Sequence, residues 1–337
     1  MSPGHRRLLG AAVVVAGIAI AVILALTIGR TPPNQGTPNP NGYDNFVQAG
    51  NLVVGDVSSF SDLGHDALRG LVSSNSEPLR LLRLGLTRRC SFPTDIALTN
   101  QSWMVAELPR LKRLAQLLRA EGQLAEMEGR AGDGANSYVE AIRFGNEISR
   151  GGFLINRLVG IACEAIGAVP LTKLVPSLGL EEACRVSRQL EKIDESRVSF
   201  DEIKSNERRF ARHELFKHRN PLEWVTGLRD VWNATQRSAT KDKTARAHER
   251  LLATQLALRC YQSDRGQVAA RLDDLVTNYL AKVPIDPFTG QPLVYRPRAA
   301  NWLLYSVGQD GVDDAGMPVG KGLSSSAKGD ILFDSPW

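Results

Sequence analysis

The chain has few of the residues that usually mark a catalytic or metal centre. Its 337 residues include four cysteines and five histidines, and no two cysteines form a Cys-x-x-Cys pair. A Gly-x-Ser-x-Gly elbow is also absent, which argues against a common serine hydrolase. His213 and His218 are five positions apart, whereas a His-Glu-x-x-His zinc site needs a spacing of four to place both rings on one helix face. We therefore assign no catalytic residue. An exported hydrolase with a site assembled from distant residues stays open as the alternative.

Aromatic residues and excess charge are both scarce. Aromatic side chains make up 6% of the chain, and the formal net charge is only +5. The arginines are scattered through predicted helices, whereas nucleic-acid-binding proteins concentrate basic residues on one face or stripe, often with aromatics. We expect no nucleic-acid partner.

The N-terminal segment lacks acidic side chains, and the run 8–29 has no charged residue at all. This run is long enough to cross about 30 Å of hydrocarbon as a helix. Two arginines precede it and only Arg30 directly follows, which orients the N-terminus toward the cytoplasm. The alternative is a cleaved signal peptide, which has a shorter apolar region and an Ala-x-Ala-like site. We predict that 1–29 forms a cytoplasmic stub and an uncleaved single-pass anchor. The rest of the chain is then extracytoplasmic, on the periplasmic side if the cell is Gram-negative.

A polar stretch of Pro, Asn and Gly at 30–42 separates this anchor from a long region with helical periodicity. Within 43–240 apolar residues recur at helical spacing, and Leu111 and Leu118 lie on one such face. The run 154–174 is apolar nearly all round, which predicts a helix buried between neighbours. We therefore predict a mainly α fold, in which 43–240 forms an α-helical domain of stacked hairpins.

Part of this helical region is similar to one tetratricopeptide unit. Leu118, Gly122, Gly129, Tyr138 and Ala141 have spacings close to those of that family. The resemblance implies a pair of antiparallel helices with small residues where the two cross.

The four cysteines, in an extracytoplasmic chain, would lie in an oxidising compartment. Cys163 and Cys184 flank a predicted turn near Pro176 almost symmetrically. In an antiparallel hairpin they could lie opposite each other and form a disulfide. The alternative is that both are buried free thiols, which behave as small hydrophobic side chains.

The pattern changes after residue 245. An amphipathic helix is followed by two short β-like segments, Pro292–Arg296 and Trp302–Ser306, with turn residues between them. This order predicts a small α+β module over 245–337.

Several short motifs occur in this module in a fixed order: Leu258–Tyr261, Leu272–Leu275, Pro284–Phe288, Tyr305–Gly311 and Asp330–Ile331. Together they resemble the globular domain of the major pseudopilins of type II secretion, which implies the same α+β fold. Those proteins also have a cleaved leader, with Glu at the fifth position after the cleaved Gly. Here Gly10 is followed at that position by Val15, so we expect neither leader processing nor polymerisation.

The resemblance also implies a structural calcium ion in the terminal loop. Asp310 and Asp330 match the family's acidic ligands, and Asp313 and Asp314 are additional carboxylates of the same loop. Calcium binds six to eight oxygen ligands, which carboxylates and loop carbonyls can supply. The alternative is a solvated turn, because Asp and Gly are common in turns. We take these four aspartates as the predicted metal residues.

The function that these features favour is non-enzymatic. We expect a single-pass, membrane-anchored envelope protein with a binding or scaffolding role, linked to secretion or surface assembly. Its helical domain would present the surface for a protein partner.

Overall fold

The computed structural model describes residues 36–60, 62–215, 221–318 and 328–337. The predicted anchor at 8–29 and positions 30–35 of the predicted spacer lie outside the described residues. In chain order the described helices are α1 Gly42–Leu52, α2 His65–Ser74, α3 Ser76–Leu86, α4 Thr94–Thr99, α5 Gln101–Met127, α6 Ala131–Ser149, α7 Leu154–Leu174, α8 Leu180–Glu195, α9 Phe200–Leu215 and α10 Pro221–Arg265. The described strands are β1 Val294–Pro297, β2 Trp302–Ser306 and β3 Ile331–Leu332. A mainly α fold with a small β component is therefore confirmed.

Asparagine side chains begin three of these helices. The Asn41 side chain accepts a hydrogen bond from the Tyr43 amide at 3.1 Å before α1, and Asn100 does the same for the Trp103 amide at 3.0 Å before α5. In α7, Asn156 reaches back to accept from the Phe153 amide at 2.9 Å. The first turn of a helix leaves amide groups without intrahelical acceptors, so these side chains fix where each helix starts.

Helices α6 and α7 form a tightly packed antiparallel pair. A Cβ atom at Gly160 would overlap both the Ser149 hydroxyl and the Gly145 carbonyl oxygen. Further along the pair, a Cβ at Gly167 would overlap the Tyr138 carbonyl oxygen. Glycine is therefore required at the crossing because the two backbones approach more closely than side chains permit.

The segment Leu154–Ser177, which contains α7, is long and apolar enough to cross a membrane by length and composition, with a mean hydropathy of 1.7. It nevertheless carries Arg157 and Glu164, which are both buried and pair with each other; Arg157 also pairs with Asp242 on α10, and Glu164 pairs with Arg197. The helix packs against α5, α6, α8 and α10 inside the protein. We therefore interpret it as a core helix, as its all-round apolar sequence predicts.

Helix α10 runs through the predicted boundary at 240–245 without a break. Its C-terminal half is buried on two faces. Leu252 and Leu256 belong to a core shared with α6, α7 and α8, whereas Leu251 and Leu258 belong to a core shared with the C-terminal module. A helix buried on both sides joins the helical region to the module instead of separating them.

The C-terminal module is a three-stranded antiparallel sheet with the order β1-β2-β3. Val294 pairs with Tyr305 and Pro297 with Trp302 in the first ladder, and Tyr305 pairs with Leu332 in the second. The sheet packs on α10 through Leu304 and other apolar residues. The predicted helix followed by a small antiparallel sheet is therefore observed.

Candidate functional site

The four predicted metal residues surround one short loop, and Asp330 is its buried centre. The Asp330 carboxylate accepts hydrogen bonds from the Gly316 amide at 2.7 Å and from the Asp314 amide at 3.4 Å. Its own amide donates to the Met317 carbonyl at 2.7 Å. Burial raises the pKa of Asp330, and the two amide donors only partly oppose that effect. Asp330 therefore fastens the loop to the start of β3.

Asp313 has partners of its own on the sheet. Its carboxylate accepts from the Tyr305 hydroxyl at 2.7 Å, from the Ala315 amide at 2.9 Å and from Arg296 at 2.8 Å. The hydrogen bond from Tyr305, followed by that from Ala315, lowers the pKa of Asp313. Its negative charge is already matched by a guanidinium.

The other two aspartates differ in exposure. Asp310 is exposed and accepts from the Val312 amide at 3.2 Å, which is a local turn contact. Asp314 Oδ2 is buried and has no hydrogen-bond partner among the described residues. Across the same residues, no group of three or more His, Cys, Asp or Glu side chains is arranged to hold a metal. The structure thus brings Asp330 and the Asp314 backbone together and leaves Asp310 at the surface.

One buried carboxylate of the module was missed by sequence reasoning. Asp286, in the Pro284–Phe288 turn, is 1% exposed. It accepts from the Val307 amide at 2.9 Å and from the Phe288 amide at 2.8 Å, so it links the turn to the end of β2. The available signal was an acidic residue between two prolines, in a segment that we used only for its resemblance to the pseudopilins.

A second cluster, which we call the buried charge network, lies between α7, α8 and α10. It contains four arginines and four carboxylates: Arg157, Arg197, Arg246, Arg250, Glu164, Asp194, Asp242 and Glu249. Arg157 on α7 lies 2.6 Å from Asp242 on α10 and 2.7 Å from Glu164 on its own helix.

Arg197, directly after α8, is the second centre of the network. It lies 3.0 Å from Glu164 and is hydrogen-bonded to Glu249 on α10. All three side chains are at most 1% exposed. Burial by itself raises the pKa of a carboxyl. At Glu164 the attraction of Arg157 and Arg197 is larger than this effect, so the pKa of that carboxyl is lowered.

Glu249 behaves differently from Glu164. Burial raises the pKa of Glu249 to about 8, and the attraction of Arg197 offsets this only in part. Its Oε1 atom is buried with no hydrogen-bond partner among the described residues. Among the described residues, Glu164 therefore has two guanidinium partners, whereas Glu249 has one.

The edge of the network reaches the C-terminal module. Arg250 lies 2.8 Å from Asp194 at the end of α8 and donates to the Ile285 carbonyl at 2.5 Å. Arg246 lies 3.3 Å from the same aspartate. Because the centre of the network is enclosed by helices, its chemistry is structural: it holds α7, α8 and α10 in register.

The cysteine pairing differs from the prediction. The disulfide joins Cys184 on α8 to Cys260 on α10, with a Cα–Cα distance of 5.8 Å, and Cys163 is a buried free thiol. The predicted bond between Cys163 and Cys184 is therefore wrong. Cys163 packs into the core that α7 shares with α5 and α6, whereas Cys184 packs against the core on the α10 side. Burial raises the pKa of the Cys163 thiol well above its usual range.

Comparison with known proteins adds no relative. No protein-family model matches the chain, and neither a curated protein nor a solved structure does so.

Proposed function

We propose that the chain is a single-pass, membrane-anchored envelope protein whose exported part binds or scaffolds other proteins in secretion or surface assembly. The observation that carries this proposal is the Cys184–Cys260 disulfide. Such bonds persist in oxidising compartments and are rare in the cytoplasm. An oxidising location is also what the uncharged run 8–29, with its preceding arginines, predicts for the rest of the chain.

The disulfide also supports a role as a rigid scaffold. It fastens α8 to α10, as do the hydrogen bond from the Ser187 hydroxyl to the Ala253 carbonyl at 2.9 Å and the ion pair between Asp194 and Arg250. These three contacts lie along one antiparallel helix pair. Since the sheet also packs on α10, these contacts connect the helical region to the module.

The partner surface that we propose is the first half of α10. Trp232 is 60% exposed there, next to the exposed Asp230 and Arg229. Tryptophan has a large apolar surface with a single polar N–H group, and it is enriched among residues that dominate binding energy at protein interfaces. A helix with an exposed tryptophan and both charge signs is suited to contact another protein.

We further propose that calcium orders the terminal loop. Asp314 and Asp330 would hold the ion together with loop carbonyl oxygens, because Asp314 Oδ2 lacks a partner among the described residues while Asp313 is held by Arg296. Bound there, calcium would supply positive charge to Asp314 and Asp330, which pair with no arginine within the part of the chain that the structure describes. The pseudopilin-like character of the module is part of this proposal.

The location is tested with a reporter enzyme that is active only in an oxidising compartment, fused after Trp337. We expect activity with the complete chain and none when 1–29 is deleted. Equal activity from both fusions would contradict the anchor.

The partner surface is tested by photo-crosslinking in cells. A photoreactive amino acid at position 232 should give a discrete adduct, whereas the same group at position 105 should not. Val105 is 62% exposed on α5 and so is a matched control for an exposed apolar side chain. Equal adducts at both positions, or adducts at neither, would exclude this face.

The alternative function, an exported hydrolase, stays a prediction. The buried charge network does not supply it with an accessible acid–base pair, because helices enclose the centre of that network.

A further inference from the structure

A cleft lies against the Cys184–Cys260 disulfide, where the start of α8 meets the end of α10. Its volume is about 220 Å³. Both cysteines line this cleft, together with Leu180, Arg188, Asp264, Asn278 and Tyr279. Leu180, Arg188, Asp264 and Asn278 are exposed, so the cleft opens to solvent. The disulfide is therefore at the bottom of a surface cleft.

The two ends of this bond differ in burial. Cys260 is 0% exposed and belongs to the core that α10 shares with α6, α7 and α8. Cys184 is half-buried and packs against the edge of the same core. Because the backbone of Cys184 is enclosed in α8, the exposed part of this residue is its side chain, which ends in the sulfur. A reagent in the cleft therefore meets the bond from the Cys184 side.

Arg188 places a positive charge beside that sulfur. It follows Cys184 by one helical turn, lines the cleft, and donates from Nε to the Cys184 carbonyl at 3.2 Å. The attacking group in thiol–disulfide exchange is a thiolate, which a guanidinium attracts. The carboxylate of Asp264 also lines the cleft, but it accepts a hydrogen bond from the Tyr279 hydroxyl. The charge nearest Cys184 along α8 thus favours an approaching thiolate.

The remaining wall of the cleft comes from a strained turn. Thr277, directly before Asn278 and Tyr279, has a φ of 80°, which is a genuine outlier for a β-branched residue. Its amide donates to the Leu280 carbonyl at 2.7 Å, and the Tyr279 ring packs edge-on against Tyr261. Backbone strain of this kind is concentrated at functional sites. Here it keeps Asn278 and Tyr279 at the cleft.

We propose that Cys184 is a site of thiol–disulfide exchange with a dithiol reductant that enters this cleft. One thiolate of the dithiol attacks Cys184 Sγ, a mixed disulfide forms, and Cys260 leaves as a thiolate that takes up a proton. The second thiolate of the dithiol then attacks its own sulfur in the mixed disulfide, and Cys184 leaves and takes up the second proton. The dithiol is oxidised to a disulfide, and both cysteines are reduced to thiols.

The proposal rests on the disulfide that the proposed function requires, and it adds that this bond opens in the folded protein. Two other contacts between α8 and α10 do not depend on the bond. The Ser187 hydroxyl donates to the Ala253 carbonyl at 2.9 Å, and Asp194 lies 2.8 Å from Arg250. These contacts keep the two helices paired, so exchange releases the start of α8 from the end of α10.

The test uses the oxidised full chain in a non-ionic detergent, and the probe is the small dithiol dithiothreitol. Each reaction is quenched with acid, and free thiols are then mapped by mass spectrometry. We expect Cys184 and Cys260 to become thiols at a rate proportional to the dithiothreitol concentration. The rate should not change in urea at concentrations below the unfolding transition, because direct attack on the folded chain needs no unfolding.

Variants identify the attacked sulfur. Cys260→Ser leaves a single thiol at Cys184, and Cys184→Ser leaves a single thiol at Cys260. In the folded variants a maleimide should label Cys184 at least about tenfold faster than Cys260, because partly exposed thiols react and buried ones are inert. Cys90 and Cys163 are buried, so their lack of labelling shows that each variant is folded.

A second pair of variants tests the charge beside Cys184. Arg188→Gln should slow reduction by dithiothreitol about two- to fivefold, as expected for the loss of attraction between exposed charges. Lys192→Gln is the matched control, since Lys192 is an exposed cation of the same helix and does not line the cleft. It should be reduced at the wild-type rate. Equal rates in the two variants would contradict the role of Arg188.

Three results would overturn the exchange site. They are a bond that dithiothreitol does not reduce in the folded chain, a reduction rate that rises with urea, and equal labelling of Cys184 and Cys260 in the two serine variants. If the chain purified from cells lacks the disulfide, the proposed function fails as well. A bond that is present but inert contradicts only the exchange.

Discussion

Carboxylates are concentrated in two regions of this molecule, and the two regions differ in the groups that contact the negative charge. In the buried charge network four carboxylates on α7, α8 and α10 face four arginines, which lie on α7, on α10 and, for Arg197, just after α8. In the terminal loop, Asp313 pairs with Arg296, whereas Asp330 is held by backbone amides and Asp314 Oδ2 has no partner within the described residues.

The difference separates a structural cluster from one that can receive a cation. Buried carboxylates that are matched by guanidinium groups stabilise the fold only while every partner remains, because an uncompensated buried charge is very costly. Carboxylates held by amides keep their charge unmatched, so an external cation can still improve their energy. Whether a cluster of carboxylates can bind a cation therefore depends more on the number of arginines in contact with it than on the number of aspartates.

The largest expected effect comes from removing one arginine of the network. Arg197→Met leaves the buried Glu164 carboxylate with Arg157 as its remaining guanidinium partner among the described residues, and it should lower the free energy of unfolding by about 3–5 kcal/mol. Urea unfolding measures this. Adding Glu164→Gln to the variant should recover part of the loss, since the carboxylate that has lost one of its partners is then neutral. A cost no greater than that of a surface arginine would show that the network is not essential.

Calcium should have the next largest effect. At a calcium concentration about 100 times the dissociation constant, the unfolding free energy should rise by about 2.7 kcal/mol. Asp330→Asn and Asp314→Asn should each lose this rise, while Asp313→Asn should keep most of it. The readout is the difference between melts with calcium and with a chelator, so that any general destabilisation cancels. A calcium response that is the same in all three variants would place the ion elsewhere or show no specific site.

The pH dependence should reveal the unequal partners of Glu249. Its pKa is raised from 4.5 to about 8 in the folded protein, so it favours folding below pH 4.5 and this contribution is lost as the pH rises to about 8. Between pH 5 and pH 8 the wild type should therefore lose more than about 1 kcal/mol relative to Glu249→Gln, since one pKa unit corresponds to about 1.4 kcal/mol. Burial lowers the pKa of His248 to about 4, which gives the opposite slope, and it is present in both proteins. Parallel stability curves would contradict the assignment.

The smallest effect should come from the exposed pair of the loop. Arg296 and Asp313 are 46% and 43% exposed, and pairs of that kind contribute about 0–1 kcal/mol. Replacing both, as Arg296→Gln with Asp313→Asn, should change the unfolding free energy by less than about 1 kcal/mol. A loss as large as that of Arg197→Met would remove the distinction between the two regions.

Elements with clear periodicity were predictable from the sequence, and pairings between them were not. The buried helix at 154–174 and the strand Trp302–Ser306 have the predicted bounds, because hydrophobic period alone determines them. The disulfide was not predictable, since Cys184 and Cys260 are 76 residues apart and which helix faces meet is decided by tertiary packing. The polar stretch around 240–245 lies within the continuous helix α10.

The buried charge network was also missed. Arginines in a helix usually indicate a solvated face, and the partners of Arg157 and Arg197 come from distant parts of the chain. One signal was available: Arg157 and Glu164 are seven residues apart on a largely apolar helix, which places them two turns apart on the same face.

Export of the disulfide-bonded chain is the claim on which the proposed function rests, and cysteine labelling in cells tests it most directly. The full chain is denatured without reduction and treated with a maleimide that adds visible mass to each free thiol. We expect two adducts on the wild type, at Cys90 and Cys163, three on Cys184→Ser, and four on a chain that lacks 1–29. Four adducts on the unreduced wild type would contradict both the disulfide and the oxidising location.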